Sequence, residues 1–311
     1  MFSPVYSSLA ALPLPKFVRS VVAEWTPGES PMSTNIGVGS TLLIYLAVIF
    51  SGQHLMKSYK PFKLQNLFML HNFLLSTGSG LLLLCMAEEL IPVIAREGVY
   101  GSICSTTAWT PRLEQLYIIN YYFKCGIADW ELVDTLFLVA KKKPLKFLHY
   151  FHHSNTALLC FVQLNGRTSV SWVPITINLA VHVLMYYYYF ATAAGRTIAW
   201  KKYITTMQIS QFVVDLFVVY FASYNLFASR FVPTLPHVGK CSGSEGAAVF
   251  GCGLLTSYLF LFIAFYRATY KPRKVSASRA TSPTPSEEGE KAPLLEKSPT
   301  DELFGSQAVA S

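Results

Sequence analysis

The sequence predicts an all-α, polytopic membrane protein with seven transmembrane helices. Three observations point there. The 311 residues are 52% hydrophobic and only 14% charged, with a mean hydropathy of +0.37, whereas a soluble domain carries about 25% charged residues. Seven stretches reach the ~20 mostly apolar residues that a helix needs to cross hydrocarbon. The basic residues fall unevenly between the loops that join those stretches. The apolar runs are continuous and not alternating, which argues against a closed barrel of strands. So little charge argues against a cytosolic enzyme and, outside the termini, against a disordered chain.

The first span is read at Ile36–Leu55 and the second at Leu67–Ala87. The third, Leu113–Ala140, is the most polar, with Lys124, Asp129, Glu131 and Asp134; the connections on either side need an odd crossing there. Phe147–Leu164, Val170–Phe190, Tyr203–Phe227 and Ala247–Tyr266 complete the set. The loops after spans one, three and five, with the stretch after span seven, hold Lys57, Lys60, Lys63, Lys141, Lys142, Lys143, Lys146, Arg196, Lys201, Lys202, Arg267, Lys271, Arg273 and Lys274, and no acid. On the opposite side the basic residues are matched by acids. Basic loops stay cytosolic, so the N-terminus is expected in the lumen or outside and the C-terminus in the cytosol. The net charge of +8 is thus a topology signal and no sign of nucleic-acid binding.

Three regions follow. Residues 1–35 form a luminal segment without a clean signal-peptide pattern, because Pro13, Pro15, Lys16 and Arg19 interrupt any apolar core. Residues 36–270 form the seven-span membrane domain. Residues 271–311, rich in Ser, Thr, Pro and Glu from about Ser276, form a disordered cytosolic tail. Cys85, Cys125, Cys160 and Cys252 fall in spans, where a thiol acts as a small apolar group. Cys104 and Cys241 both fall in luminal loops, and that compartment permits the expected disulfide between them.

Ionisable groups inside spans are costly and point to function by default. Here they gather at one depth. Glu131 and Asp134, His152 and His153, His182, and Gln208 and Gln211 all lie 5 to 9 residues in from the cytosolic ends of four spans. At 1.5 Å per residue that is a layer roughly 8–14 Å deep, suggesting a wet pocket open to the cytosol. His149, His152 and His153 follow i, i+3, i+4 and are expected on one face. Asn178 and His182 are i, i+4, with Tyr186 one turn further. Of the four tyrosines from Tyr186 to Tyr189, Tyr186 and Tyr189 are expected to face the pocket, and an interfacial belt is the alternative for Tyr187 and Tyr188. A lone intramembrane His, Asn or Gln commonly bonds two helices; four histidines at matched depth argue for more. Asp215 lies deeper, and structural pairing is its expected role. His71 and Asn72 are intermediate; His54 and His237 carry no assignment.

These residues spell motifs. His149-Tyr-Phe-His152-His153 is an HxxHH box. His182 to Tyr189 reads HxxMYxYY, preceded by Asn178. Thr205 to Gln211 reads TxxQxxQ. Glu131-Leu-Val-Asp134-Thr135 is the ExxDT half of KxxExxDT. In this order and spacing, across residues of about 60 to 270, the chain resembles the very-long-chain fatty acid elongases, and Lys141-Lys142-Lys143-Pro144 and the stretch Thr156 to Cys160 are most similar to fungal members. One departure stands out: Ala128 takes the place of the family's Lys, and the nearest Lys is Lys124.

The resemblance implies a 3-oxoacyl-CoA synthase of the endoplasmic reticulum. Such an enzyme joins a long-chain acyl-CoA to malonyl-CoA and releases carbon dioxide and CoA, in the first step of an elongation cycle. Spans two to seven would form two inverted three-helix units around an acyl tunnel. The implied partners are membrane lipid, the ketoreductase, dehydratase and enoyl reductase of the cycle and, for a homo-oligomer, a second copy. No metal or cofactor is expected. Similarity to fungal relatives points to saturated products feeding sphingolipids.

No Cys lies in the polar layer, and imidazole can serve as a covalent nucleophile. His152 is expected to take the acyl group, with His182 as base or carbonyl holder and His149 and His153 orienting it or donating to oxyanions. Asp134 and Glu131 would fix His tautomers or carry protons. Asn178, Gln208 and Gln211 would donate to thioester or enolate oxygens. Lys141, Lys142, Lys143, Lys146, Lys201 and Lys202 suit the CoA phosphates. The alternative is a di-iron lipid desaturase or hydroxylase, in which HxxHH also occurs; such enzymes need about eight histidines, and this chain has seven.

Overall fold

The computed structural model describes residues 4–11, 13, 15, 25–125 and 130–270. The expected tail over 271–311 and the Ala128–Asp129 pair lie outside the described residues, as do the side chains of Lys124 and Glu131. All regular structure among the described residues is helical. In chain order it comprises α1 (Pro4–Ala10), α2 (Asn35–Leu55), α3 (Gln65–Cys104), α4 (Pro111–Cys125), α5 (Trp130–Ala140), α6 (Phe147–Gly166), α7 (Trp172–Ala193), α8 (Lys201–Phe231) and α9 (Glu245–Tyr270).

Five of these helices are long and apolar enough to cross a membrane: α2, α3, α7, α8 and α9, two of them with short 3-10 extensions. Their outer faces present Leu43, Leu67, Leu84, Ile91, Phe217 and Phe260 without cover, as a bilayer requires. The other two expected spans differ for a physical reason. The third is two described helices, α4 and α5. The fourth, α6, has 20 residues, but His149, His152, His153, Asn155, Gln163 and Asn165 make it too polar to register by hydropathy. Both of these elements carry polar motif residues.

The second span was read only to Ala87, yet α3 runs on to Cys104. Its acidic stretch stays helical because the carboxylates find partners. Glu88 accepts the backbone N–H groups of Val5 and Tyr6 at 3.0 and 3.1 Å, and Glu89 accepts from Thr110 Oγ1 at 2.9 Å. At Gly98 the helix breaks, with φ +70°, a left-handed backbone that any side chain would strain.

Antiparallel pairs build the bundle. Along α3 and α7, Gln65 donates to the Ala193 carbonyl, Ser76 Oγ to the Val183 carbonyl at 2.9 Å, and Trp172 Nε1 to the Ser102 carbonyl at 2.9 Å. Along α8 and α9, Tyr220 and Thr256 hydroxyls meet at 3.0 Å and Arg230 pairs with Glu245. Between α6 and α9, the Tyr258 hydroxyl donates to the His152 carbonyl at 3.0 Å, and Gln163 Nε2 to the Ala247 carbonyl at 2.7 Å. Gly166 lets these two helices close, since a Cβ there would come within 2.6 Å of the Ala247 Cβ.

The end of the bundle away from the lysine loops is tied most firmly. Cys104 and Cys241 form a disulfide. Ser242 N donates to the Cys104 carbonyl at 2.8 Å and Ser244 N to the Gly166 carbonyl at 3.1 Å. Arg167 reaches Glu114 from above α6 at 2.9 Å. These bonds close a floor under the helices that hold the polar motifs. The disulfide spans 137 residues, and a crosslink over so long a loop stabilises by about 2–4 kcal/mol. Cys104→Ser/Cys241→Ser is therefore expected to melt well below the parent in detergent. Alkylation of both thiols in the folded, unreduced parent would contradict this.

Candidate active site

Histidines enter from the start of α6. One residue of α-helix turns about 100°, so the His149 and His153 rings, one turn apart, lie 4.3 Å from each other at a tilt of 31°, and the His152 ring meets His153 edge-on at 5.8 Å. The three are all buried but address different neighbours. His149 Nε2 lies 2.9 Å from Thr135 Oγ1 on α5, which shares a 2.8 Å hydrogen bond with the Tyr45 hydroxyl on α2. His152 faces α8 and α9, with its ring 4.6 Å from Tyr258 and 5.6 Å from Phe262.

On α5, Asp134 joins three helices. Its Oδ1 lies 2.7 Å from His71 Nε2 on α3, and its Oδ2 accepts from the Tyr186 hydroxyl on α7 at 3.0 Å. All three side chains are at most 4% exposed. The carboxylate thus holds His71, not a histidine of the HxxHH box. On α7, His182 packs edge-on to Tyr186 at 5.3 Å, and Asn178 Nδ2 lies 3.3 Å from His182 Nε2. On α8, Gln208 Nε2 reaches Met185 Sδ at 3.4 Å and Gln211 Nε2 donates to Asp215 Oδ2 at 3.3 Å.

Between α4, α6, α7, α8 and α9 lies a cavity with about 840 Å³ of space between atoms, part of it continuous with the outside. Its walls are mainly apolar: Tyr117, Leu159, Leu164, Val170, Pro174, Ile175, Val219 and Leu255. His152, Asn178, Gln211, Asp215 and Tyr258 line one end; Trp109, Val170 and Leu164 line the other. Twelve residues of α6 separate His152 from Leu164, roughly 18 Å of helix. A smaller cavity of about 310 Å³ opens on the lysine side, lined by Tyr188, Tyr189, Lys201, Thr205, Gln208 and Phe265.

The single layer read from the sequence is therefore three compartments. The long cavity takes His152, Asn178 and Gln211. The outer cavity takes Tyr189 and Gln208. Asp134 and Tyr186 sit in a packed knot beside them, with His149, His153 and His182 in the surrounding wall. Tyr187 is exposed, but Tyr188 is buried and lines the outer cavity, so a belt role is corrected for it. Asp215, expected to pair structurally, stands in the long cavity wall. Tyr45, His71 and Tyr258 also belong to the assembly. Nothing in spacing separates Tyr45 or Tyr258 from other span aromatics; only the His71–Asn72 pair carried a signal.

The six lysines divide. Lys201 lines the outer cavity, Lys146 lies over the Phe265 ring at 5.2 Å and Lys202 over Tyr266 at 5.9 Å. Burial holds the Lys146 ammonium below its usual pKa. Lys141 sits 3.8 Å over the Phe68 ring, and burial, then the charge of Lys143, lowers its pKa. Lys142 donates to the Lys57 and Tyr59 carbonyls at 3.2 and 3.1 Å. Among the described residues, no three His, Cys, Asp or Glu side chains converge to hold a metal ion.

The chain matches the family described as "ELO: GNS1/SUR4 family" over residues 30–278. Two similar Schizosaccharomyces pombe proteins carry the names "Putative fatty acid elongase" 1 and 2. The first is 51% identical over 250 residues, 80% of this chain and 74% of its own. The second is 40% identical over 297 residues, 94% of this chain and 80% of its own. "Long chain fatty acid elongase 2" of Caenorhabditis elegans is 32% identical over 257 residues, 78% of this chain and 86% of its own.

Removing one partner of a buried, hydrogen-bonded pair costs about 3–5 kcal/mol. His71→Phe, which abandons Asp134, is expected to lower stability by that much. Tyr186→Phe should cost about 1.5–3 kcal/mol, the range for a hydrogen bond to a charged group. Thermal melts in detergent measure both, and a His71→Phe protein that melts with the parent would refute the bracing role of Asp134.

Proposed function

We propose that this chain, which belongs to the GNS1/SUR4 family of fatty acid elongases, is a condensing enzyme that joins a long-chain acyl-CoA to malonyl-CoA. The products are a 3-oxoacyl-CoA two carbons longer, carbon dioxide and CoA. The observation that carries this reading is the placement of His152: a buried imidazole lining a mainly apolar cavity inside the bundle. The names of the relatives support fatty acid elongation; the chemistry is argued from the site.

In this reading His152 attacks the acyl thioester. A C–N bond forms, the C–S bond breaks, and the imidazole proton leaves with the CoA thiolate as CoA. Malonyl-CoA then loses carbon dioxide, and its enolate carbon attacks the acyl carbon. The C–N bond breaks, and one proton taken up from the water side restores the ring. Gln211 and Asn178 are placed to bind the developing oxygens. His149 is positioned through Thr135 and Tyr45 and packs its ring against His153. His182, beside Asn178, serves as base or holds the carbonyl.

The outer cavity is the entry for the CoA arm, with Lys146, Lys201 and Lys202 taking its phosphates. Lys141 and Lys142 are engaged with a ring and with carbonyls, so their share is smaller, and Lys143 stands next to them. We place seven spans in the endoplasmic reticulum membrane, with the N-terminus and the disulfide luminal and the lysine loops cytosolic. Spans two to seven would act as two inverted units. The product class feeds sphingolipids, and the reductases and dehydratase of the cycle act next.

Reconstituted protein given radiolabelled malonyl-CoA and acyl-CoAs of increasing length is expected to release labelled products and carbon dioxide. His152→Ala should lower the rate by more than about a hundredfold and abolish a covalent adduct seen by mass spectrometry with acyl-CoA alone. An adduct persisting in His152→Ala, or a parent that elongates nothing, would overturn the reading.

A further inference from the structure

We propose that Asp215 is a positioning residue of the condensation site, holding the Gln211 carboxamide against the cavity wall beside His152. This rests on the function proposed above. Asp215 lies in α8 with no measurable exposure. Gln211 Nε2 donates to its Oδ2 at 3.3 Å, one helical turn away. Its Oδ1 is buried and has no hydrogen-bond partner among the described residues. Both side chains line the long cavity together with His152 and Asn178, and no Lys or Arg among the described residues lines it.

A carboxyl group inside a membrane span is expensive and ordinarily pairs with a cation or joins two helices. Asp134 follows that rule, with partners on α3 and α7. Asp215 does not. Its partner belongs to its own helix, so the bond adds nothing to the cohesion of the bundle. What the bond does is restrict one amide. Gln has three side-chain torsions, and a cavity-facing Gln without a fixed partner samples many of them. Anchored on Asp215, the Gln211 amide keeps one orientation, which is the condition for stabilising charge without reorganisation.

The test is a double-mutant cycle on reconstituted full-length protein, reading kcat and KM for octadecanoyl-CoA. Asp215→Leu and Gln211→Leu are each expected to lower kcat by about 10–100-fold, somewhat less than removal of a direct oxyanion donor, with KM for the acyl-CoA changed by less than about twofold. Asp215→Leu/Gln211→Leu should lose no more than either single change, because the two act as one unit. Asp215→Asn keeps an oxygen that accepts from Gln211 and should retain most of kcat. An intact Cys104–Cys241 disulfide and a monodisperse elution profile verify folding. If Asp215→Leu does not fold, the cycle is read with Asp215→Ser, which withdraws from Gln211 without filling the wall. Additive losses, or full kcat in folded Asp215→Leu or Asp215→Ser, overturn the role of Asp215 while the parent still elongates. A parent that elongates nothing overturns the proposed function, and this role with it.

Discussion

A carboxylate cannot sit in the middle of a helical bundle in hydrocarbon without partners. Asp134 meets that demand by drawing His71 from α3 and Tyr186 from α7 onto α5, and much of the site depends on it. Its neighbour Thr135 is thereby set against Tyr45 and His149, and the His149 ring packs against His153. The position of α6, and so of His152, is referred through this chain of bonds to α2, α3 and α7. An element of only 11 residues becomes the part that aligns its longer neighbours.

The polar groups of the interior then fall into two kinds. Those of the Asp134 knot bond across helices and hold the bundle in one register. On the long cavity, Gln163 and Tyr258 also bond across helices, whereas Asn178 with His182 and Gln211 with Asp215 bond within one. Bonding across helices contributes to stability. The apolar length beyond His152, ending near Trp109 and Val170, offers hydrocarbon walls to a chain anchored at that end.

Much of the fold was legible because a bilayer leaves few solutions. Apolar length and the placement of basic residues marked the boundaries of α2, α7, α8 and α9 within a few residues. The extent of α3 was not legible, because Glu88 and Glu89 read as a span end until Val5, Tyr6 and Thr110 are brought to them by the fold. The histidines, Asn178 and the glutamines were legible as site candidates through their depth. Their neighbours were not. Tyr45 and Tyr258 are aromatic residues among many in apolar runs, and depth alone made Asp215 look structural.

Residue type and spacing by themselves determined that the chain is helical, which residues avoid lipid, and that imidazoles and amides share a depth. These are one-dimensional properties, fixed by helical rise and by the cost of polarity in hydrocarbon. Only the tertiary structure decided which way each ring turns. A step of 100° along α6 sends His152 to the long cavity and His153 toward His149, and the packing of α8 and α9 against α6 decides which of these directions opens onto space. Depth is additive along a helix, whereas a cavity is the joint product of five helices and has no signature in any one of them.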